Sequence, residues 1–175
     1  RGKIVVSFLM GSQRLYDFVD DNPSIYMAPV DYVNHPIIIG QNDNLVSINS
    51  SVEVNLMGEA CSEAMGLKQF SGIGGQVDFI RGASFSKGGR SILAFPSTAK
   101  KGTVSKIVPY LTQGGTVTTS RNDVDYIVTE HGIAKMKGNT LRERARQLIR
   151  IAAPQFRDGL AEEFERRFAE KYQEV

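Results

Sequence analysis

The chain of 175 residues has no tryptophan, one cysteine and two histidines. Cys61 has no second cysteine to pair with, so an internal disulfide is excluded and a soluble, reducing compartment, the cytoplasm, is expected. With only His35 and His131 beside it, the Cys/His set is too small for a zinc cluster, and no metal is expected. A dominant charge sign is missing too: 21 basic side chains meet 19 acidic ones, a formal +2. So small an excess is no electrostatic footprint for nucleic acid. No apolar run approaches the roughly 18–20 residues that a membrane-spanning helix needs. Repeats, low-complexity tracts and the three-part pattern of a signal peptide are likewise absent. What remains, 41% hydrophobic and 23% charged, is the composition of an ordinary globular domain. The chain opens on Arg1-Gly2-Lys3 and runs straight into apolar sequence, which suggests a piece of a longer protein.

Hydrophobic periodicity divides the chain into strands first and helices last. Residues 3–10 (KIVVSFLM) predict a strand, and Ser12 is placed to cap a helix over 13–20 that ends before Pro23. Residues 25–33 read as extended or irregular, Asn34-His35-Pro36 as a turn and 36–40 as a short apolar piece. Residues 45–56 alternate as a half-buried strand or hairpin arm, and 58–77 form a glycine-rich centre. A short helix over 77–83 is followed by predicted strands at 90–96, 103–109, 114–119 and 126–129. From residue 140 the period becomes helical, with Leu141, Ala145, Leu148, Ile149 and Ala152 on one face behind an Asn139/Thr140 cap. Pro154 suits the first turn of a last helix carrying Phe156, Leu160, Phe164 and Phe168. The predicted fold class is α/β, a mixed sheet flanked by helices, in one domain spanning 1–175.

Several segments carry residue types suited to chemistry. In Ser71-Gly72-Ile73-Gly74-Gly75-Gln76, glycines permit close approach of a ligand to the backbone. Successive free N–H groups there would make a nest for a phosphate or a developing oxyanion; the plainer reading is a tight turn. The run Pro96 to Gly102 follows a predicted strand and offers Ser97, Lys100 and Lys101 to a phosphate-bearing ligand, or is a solvated loop. Asn34 can donate its side-chain amide to an oxyanion, or form a turn. Glu130 and His131 are adjacent in sequence, a spacing that disfavours a facing dyad. Glu53 alternates outward and is expected to face solvent, and Cys61 is expected to be a packed small residue. The basic run at 135–150 reads as a solvated helix flank.

An ordered series of motifs is more specific than any of these alone. Tyr32-Val33-Asn34-His35-Pro36, Ser47-Ile48-Asn49, Gly72-Ile73-Gly74-Gly75-Gln76-Val77-Asp78-Phe79, Arg81-Gly82-Ala83, Pro96-Ser97-Thr98-Ala99 and Val128-Thr129-Glu130 occur in that order. The chain resembles, end to end, the C-terminal domain of the acetyl-CoA hydrolase/transferase family. Within it, the likeness is to the 4-hydroxybutyrate and butyrate-type CoA-transferases. The resemblance implies a CoA-transferase-like fold of the NagB/RpiA class and a reaction in which CoA moves between short-chain carboxylic acids. An enzyme glutamate forms first an anhydride and then a glutamyl-CoA thioester. In the family that glutamate lies just upstream of the stretch matching Gly2-Lys3-Ile4, on a domain this chain lacks, so the isolated chain is expected to be inactive. By the same resemblance, Gly75 with Gly74 supplies backbone donors to the oxyanion and Asn34 supports the same oxygen. Ser71, Gly72, Gln76, Ser97, Lys100 and Lys101 are implied contacts to the CoA arm. Expected partners are an acyl-CoA, a short-chain carboxylate, the chain's own N-terminal domain and further copies in a homo-oligomer. No cofactor beyond CoA as substrate is implied. The alternatives are an acetyl-CoA hydrolase and a non-catalytic module that holds CoA or phosphate. Four positions depart from the family pattern: His131 for tyrosine, Ala153 for histidine, and Glu59 and Ala60 where Gly58-Glu59-Ala60 replaces Gly-Gln-Val. They leave the preferred acyl group open.

Overall fold

The computed structural model describes residues 2–173. Its elements are β1 (Ile4–Val6), α1 (Gln13–Val19), β2 (Ile25–Met27), α2 (Val30–Val33), α3 (Pro36–Gly40), β3 (Val46–Asn49), β4 (Glu53–Asn55), β5 (Ala60–Cys61), β6 (Ala64–Met65) and β7 (Lys68–Gln69). There follow α4 (Gln76–Phe85), β8 (Arg90–Ala94), β9 (Thr98–Ala99), β10 (Val104–Ser105), β11 (Ile107–Val108), β12 (Tyr126–Thr129), β13 (Gly132–Lys135), α5 (Leu141–Arg150) and α6 (Pro154–Phe168).

The central sheet has the order β13-β12-β8-β3. The pairs β3–β8 and β8–β12 are parallel, and β12–β13 is antiparallel. The mixed sheet is therefore as expected. Leu93, Ile127 and Ala134 from three of its strands join Ile80 of α4, Leu148 and Ile149 of α5, and Leu160 and Phe164 of α6 in one buried core. Helix α4 packs on β8 and β3, and α5 packs on β13 and α6. The Thr140 side chain accepts the Glu143 N–H and so caps α5. Ser12 stands at the corresponding position of α1 but makes no such bond.

Smaller pieces surround this frame. β1 and β2 form a parallel ribbon, and β11-β4-β5 a three-stranded sheet. The structure shortens the predicted strand at 3–10 to three residues and makes 36–40 a helix. It also splits 45–56 into β3 and β4, which lie in different sheets, and divides 103–109 between two sheets in the same way. Residues 114–119 are not a strand. Gly114 sits at φ +85°, and only Thr119 pairs, as an isolated bridge to Ala60. Threonine side chains take over the fastening: Thr116 and Thr118 both donate to Glu63, at 3.1 and 3.2 Å.

Close approach of α3 and α4 depends on two glycines. A Cβ on Gly82 would lie 2.3 Å from Ile39 Cγ2, and one on Gly40 would lie 2.8 Å from Phe85 Cβ. No larger residue fits without separating the helices. This contact matters because the residue before α3's cap and the residue that opens α4 are Asn34 and Gly75.

Candidate functional site

Asn34 ends α2 and Gly75 is the N-cap of α4. The α3–α4 packing brings them together: a Cβ on Gly75 would stand 2.3 Å from Asn34 Nδ2. Only glycine leaves room for the carboxamide there. Gly74 adopts φ +60°, the left-handed turn that glycine takes without strain.

The hydrogen-bonding state of this turn is its main chemical feature. Among the described residues, the N–H groups of Gly74 and Gly75 donate to no protein acceptor, and neither does the Asn34 carboxamide. The Phe79 N–H donates to Gly75 O at 3.1 Å. Unsatisfied donors at the start of a ten-residue helix also carry the positive end of its dipole. Asp78 in the first turn offsets part of that field. Gly74, Gly75, Gln76 and Asn34 line one cleft of about 920 Å³, and Val5, Val6, Phe8 and Val33 contribute apolar wall. Such a cleft is chemically able to hold a carbonyl oxygen that gains negative charge and to shelter an apolar substituent beside it.

The remaining predicted contacts lie elsewhere. Ser71 and Gly72 precede the turn but do not line the cleft, and the Ser71 hydroxyl donates to Gly72 O at 3.0 Å. Ser97 is fully buried. Its N–H and O–H both donate to Glu130, at 2.8 and 2.6 Å, so it has no free surface for a ligand and is a structural residue. Lys100 and Lys101 occupy an exposed hairpin tip at φ +48° and +58°, outside the cleft.

Glu130 and His131 do meet, at 3.6 Å, contrary to the expectation from their spacing. The bonds from Ser97 hold the Glu130 carboxyl below its usual range. Glu53 is buried rather than solvent-facing, because all three residues of β4 are enclosed. Its carboxylate accepts the Thr112 N–H at 2.7 Å and hydroxyl at 2.8 Å. Cys61 is buried and free, as expected for a packed small residue. Among the described residues, no group of three or more His, Cys, Asp or Glu side chains is placed to hold a metal ion. No helix there is long and apolar enough to cross a membrane.

Sequence reasoning gave no role to the apolar wall or to Asn49, which also lines the cleft. The signal available for Asn49 was a polar residue closing an alternating strand.

The mixed sheet with its flanking helices has the CoA-transferase-like fold: the crystal structure of a 4-hydroxybutyrate CoA-transferase from Porphyromonas gingivalis superposes with a TM-score of 0.80 at 55% identity, covering 95% of this chain and 38% of that one. The chain belongs to the acetyl-CoA hydrolase/transferase family, and residues 11–164 match its C-terminal domain. It is 64% identical to the 4-hydroxybutyrate coenzyme A transferase of Clostridium kluyveri over 95% of this chain and 39% of the relative. It is 56% identical to the succinyl-CoA:cyclohexane-1-carboxylate CoA transferase of Geobacter metallireducens, over 92% of this chain and 37% of that protein. The crystal structure of RipA from Yersinia pestis superposes with a TM-score of 0.90 at 51% identity, covering 96% of this chain and 38% of RipA. The chain thus spans about two-fifths of the length of the proteins it matches.

Proposed function

We propose that this chain forms the oxyanion wall of a CoA-transferase, which moves CoA between acetyl-CoA and a short-chain acid such as 4-hydroxybutyrate or butyrate. The observation that carries the reading is the pair of unbonded N–H groups at Gly74 and Gly75 beside the unbonded Asn34 carboxamide, all lining one cleft. Attack on a thioester carbonyl puts negative charge on its oxygen. Gly75 N–H and Asn34 Nδ2 are the donors that receive it. Preorganised donors need no rearrangement as charge develops, and removing one costs about 2.7–4 kcal/mol of transition-state stabilisation.

The attacking group comes from outside this chain. Among the described residues no glutamate lines the cleft; its carboxylates are Asp31 and Asp78. A glutamate on the upstream region attacks the acyl-CoA, giving an anhydride and free thiolate. The thiolate then returns to the glutamyl carbonyl, releasing the first acid and leaving glutamyl-CoA. The acceptor acid reverses both steps, which makes the kinetics ping-pong. The two relatives named above carry different acids in their names, so the acyl preference is assigned to no residue of this domain. Assembly as a homo-oligomer and a cytoplasmic location accompany this reading, the latter supported by the single free thiol of Cys61.

The test compares the chain alone with the chain joined to its upstream region, using acetyl-CoA and butyrate. The joined protein is expected to transfer CoA with parallel double-reciprocal plots, and the chain alone to be inert. Ordinary turnover by residues 1–175 alone would overturn the upstream-nucleophile account. Thioester cleavage that needs no carboxylate acceptor would make the enzyme a hydrolase.

A further inference from the structure

The unbonded amides that define the site create a mechanical problem. No main-chain hydrogen bond fixes the N–H groups of Gly74 and Gly75, and glycine is the residue type with the widest backbone freedom. An oxyanion hole works only if its donors are held in place before the reaction. Something outside the turn must hold it.

The structure shows one side chain that does so. Gln76 is the first residue after the glycines and the first of α4. Its Nε2 donates to Thr119 Oγ1 at 2.9 Å, a contact across 43 positions of sequence. Thr119 is fully buried. Its backbone is locked to Ala60 in both directions, N–H to O and O to N–H, each at 3.0 Å. Ala60 belongs to β5 and to the buried core. The flexible turn is therefore one side chain away from a rigid anchor. The same strap grips α4 again further along, where Arg81 donates to both carboxylate oxygens of Asp123, at 3.3 and 3.1 Å.

We propose that Gln76 and Thr119 form a latch that fixes the Gly74–Gly75 amides for oxyanion binding, so that Gln76 is a positioning residue rather than a contact to the CoA arm. This rests on the transferase reading above. It explains why 114–119 is held by threonine hydroxyls instead of a sheet ladder. The segment presents one buried hydroxyl to α4 and keeps its own fastening to Glu63 through Thr116 and Thr118.

The experiment uses the chain joined to its upstream region, with CoA transfer from acetyl-CoA to butyrate as readout. Thr119→Val removes the acceptor while keeping the shape. Gln76→Met removes the donor. Thr119→Ser keeps the hydroxyl. Arg81→Gln loosens α4 away from the turn. Thr119→Val and Gln76→Met are each expected to lower kcat by roughly ten- to a hundredfold, with KM for acyl-CoA within about twofold. The double variant should fall no further than either single one, as one shared contact requires. Thr119→Ser should restore the rate, and Arg81→Gln should lower thermal stability without lowering kcat. Wild-type rates in Thr119→Val overturn the latch. So does a Gln76→Met variant with raised KM and unchanged kcat, which would make Gln76 a ligand contact. If Thr119→Val fails to fold, Gln76→Met, at a half-buried position, carries the same kcat-against-KM reading. If the unaltered protein transfers no CoA, the functional reading itself falls and takes the latch with it, an outcome distinct from loss confined to the variants.

Discussion

At the scale of single residues, the site depends on what Gly75 lacks. Its backbone, φ −95° and ψ 7°, is open to any amino acid, so conformational strain is not the reason for glycine here. The reason is the Asn34 carboxamide, 2.3 Å from where a Cβ would be. Gly75→Ala leaves the chain foldable, because the atom it meets is the far end of a side chain that can swing aside. Swinging aside removes Asn34 from the oxygen it serves. The expected result in the joined protein is a loss of about 10²–10³ in kcat, with a melting temperature within a few degrees of the parent. An unchanged rate would show that Asn34 is not a donor. Asn34→Ala should match it in size, and the two losses should not add. The two residues were singled out in the sequence for different reasons. Glycines in a row announce a special backbone, whereas Asn34 offered only a side-chain donor beside a proline, and its place next to the glycines came through the resemblance. The lysines at 100 and 101 were offered for their charge, and composition says nothing of distance. They sit on a hairpin tip that does not reach the cleft.

At the scale of elements, the decisive contact is between α3 and α4. Gly82 faces Ile39 with no space for a methyl group, and the nearest atoms are a branched, buried side chain and the Pro36 carbonyl. Gly82→Ala should cost about 1–3 kcal/mol through overpacking, read as a lower urea midpoint at unchanged slope. Because the same contact sets Asn34 against Gly75, activity should fall as well, unlike in Gly75→Ala where only activity falls. A second prediction concerns Glu130 at the end of β12. The Ser97 hydroxyl and N–H stabilise its charged form and lower its pKa in the folded state. A lowered folded pKa contributes stability at pH values above the unfolded one, and this is lost as pH falls through the folded value. The carboxyl is half exposed, so the contribution is screened and small, on the order of 1 kcal/mol or less. Denaturation of wild type and Glu130→Gln should therefore differ near neutrality and converge in acid below the usual carboxylate range. A gap that widened in acid would contradict the assignment. Of the elements of four or more residues with a clear period, β12 was readable from sequence with both ends and α5 with its capped start. The two-residue strands β5, β6, β7, β9, β10 and β11 were not, because two residues carry no period. Glu53 was misjudged for a related reason: alternation implies one solvent face, and β4 has none.

At the scale of the whole molecule, the hydrophobic surface is unevenly distributed. Ile48 on the edge strand β3 is 68% exposed, Phe8 and Met10 after β1 are 72% and 83% exposed, and Leu67 at the β6–β7 hairpin is 94% exposed. Isolated exposed apolar side chains are ordinary, but an edge strand and a neighbouring two-stranded ribbon that both show them are not. Relatives that match this chain contain a larger remainder, since the match covers only 39% and 37% of their length. If that remainder covers these residues in the intact protein, the chain on its own must bury them against something else, and other copies of itself are what is at hand. Sedimentation of residues 1–175 alone should show association that rises with concentration, together with fluorescence of an apolar dye. Joining the upstream region should abolish the dye signal. Ile48→Lys with Met10→Lys should weaken association of the isolated chain while leaving its circular dichroism unchanged, because neither side chain is part of the buried core. A chain that stays monomeric and dark with the dye at high concentration would mean that these residues are simple surface, and that the covering region contacts the domain elsewhere.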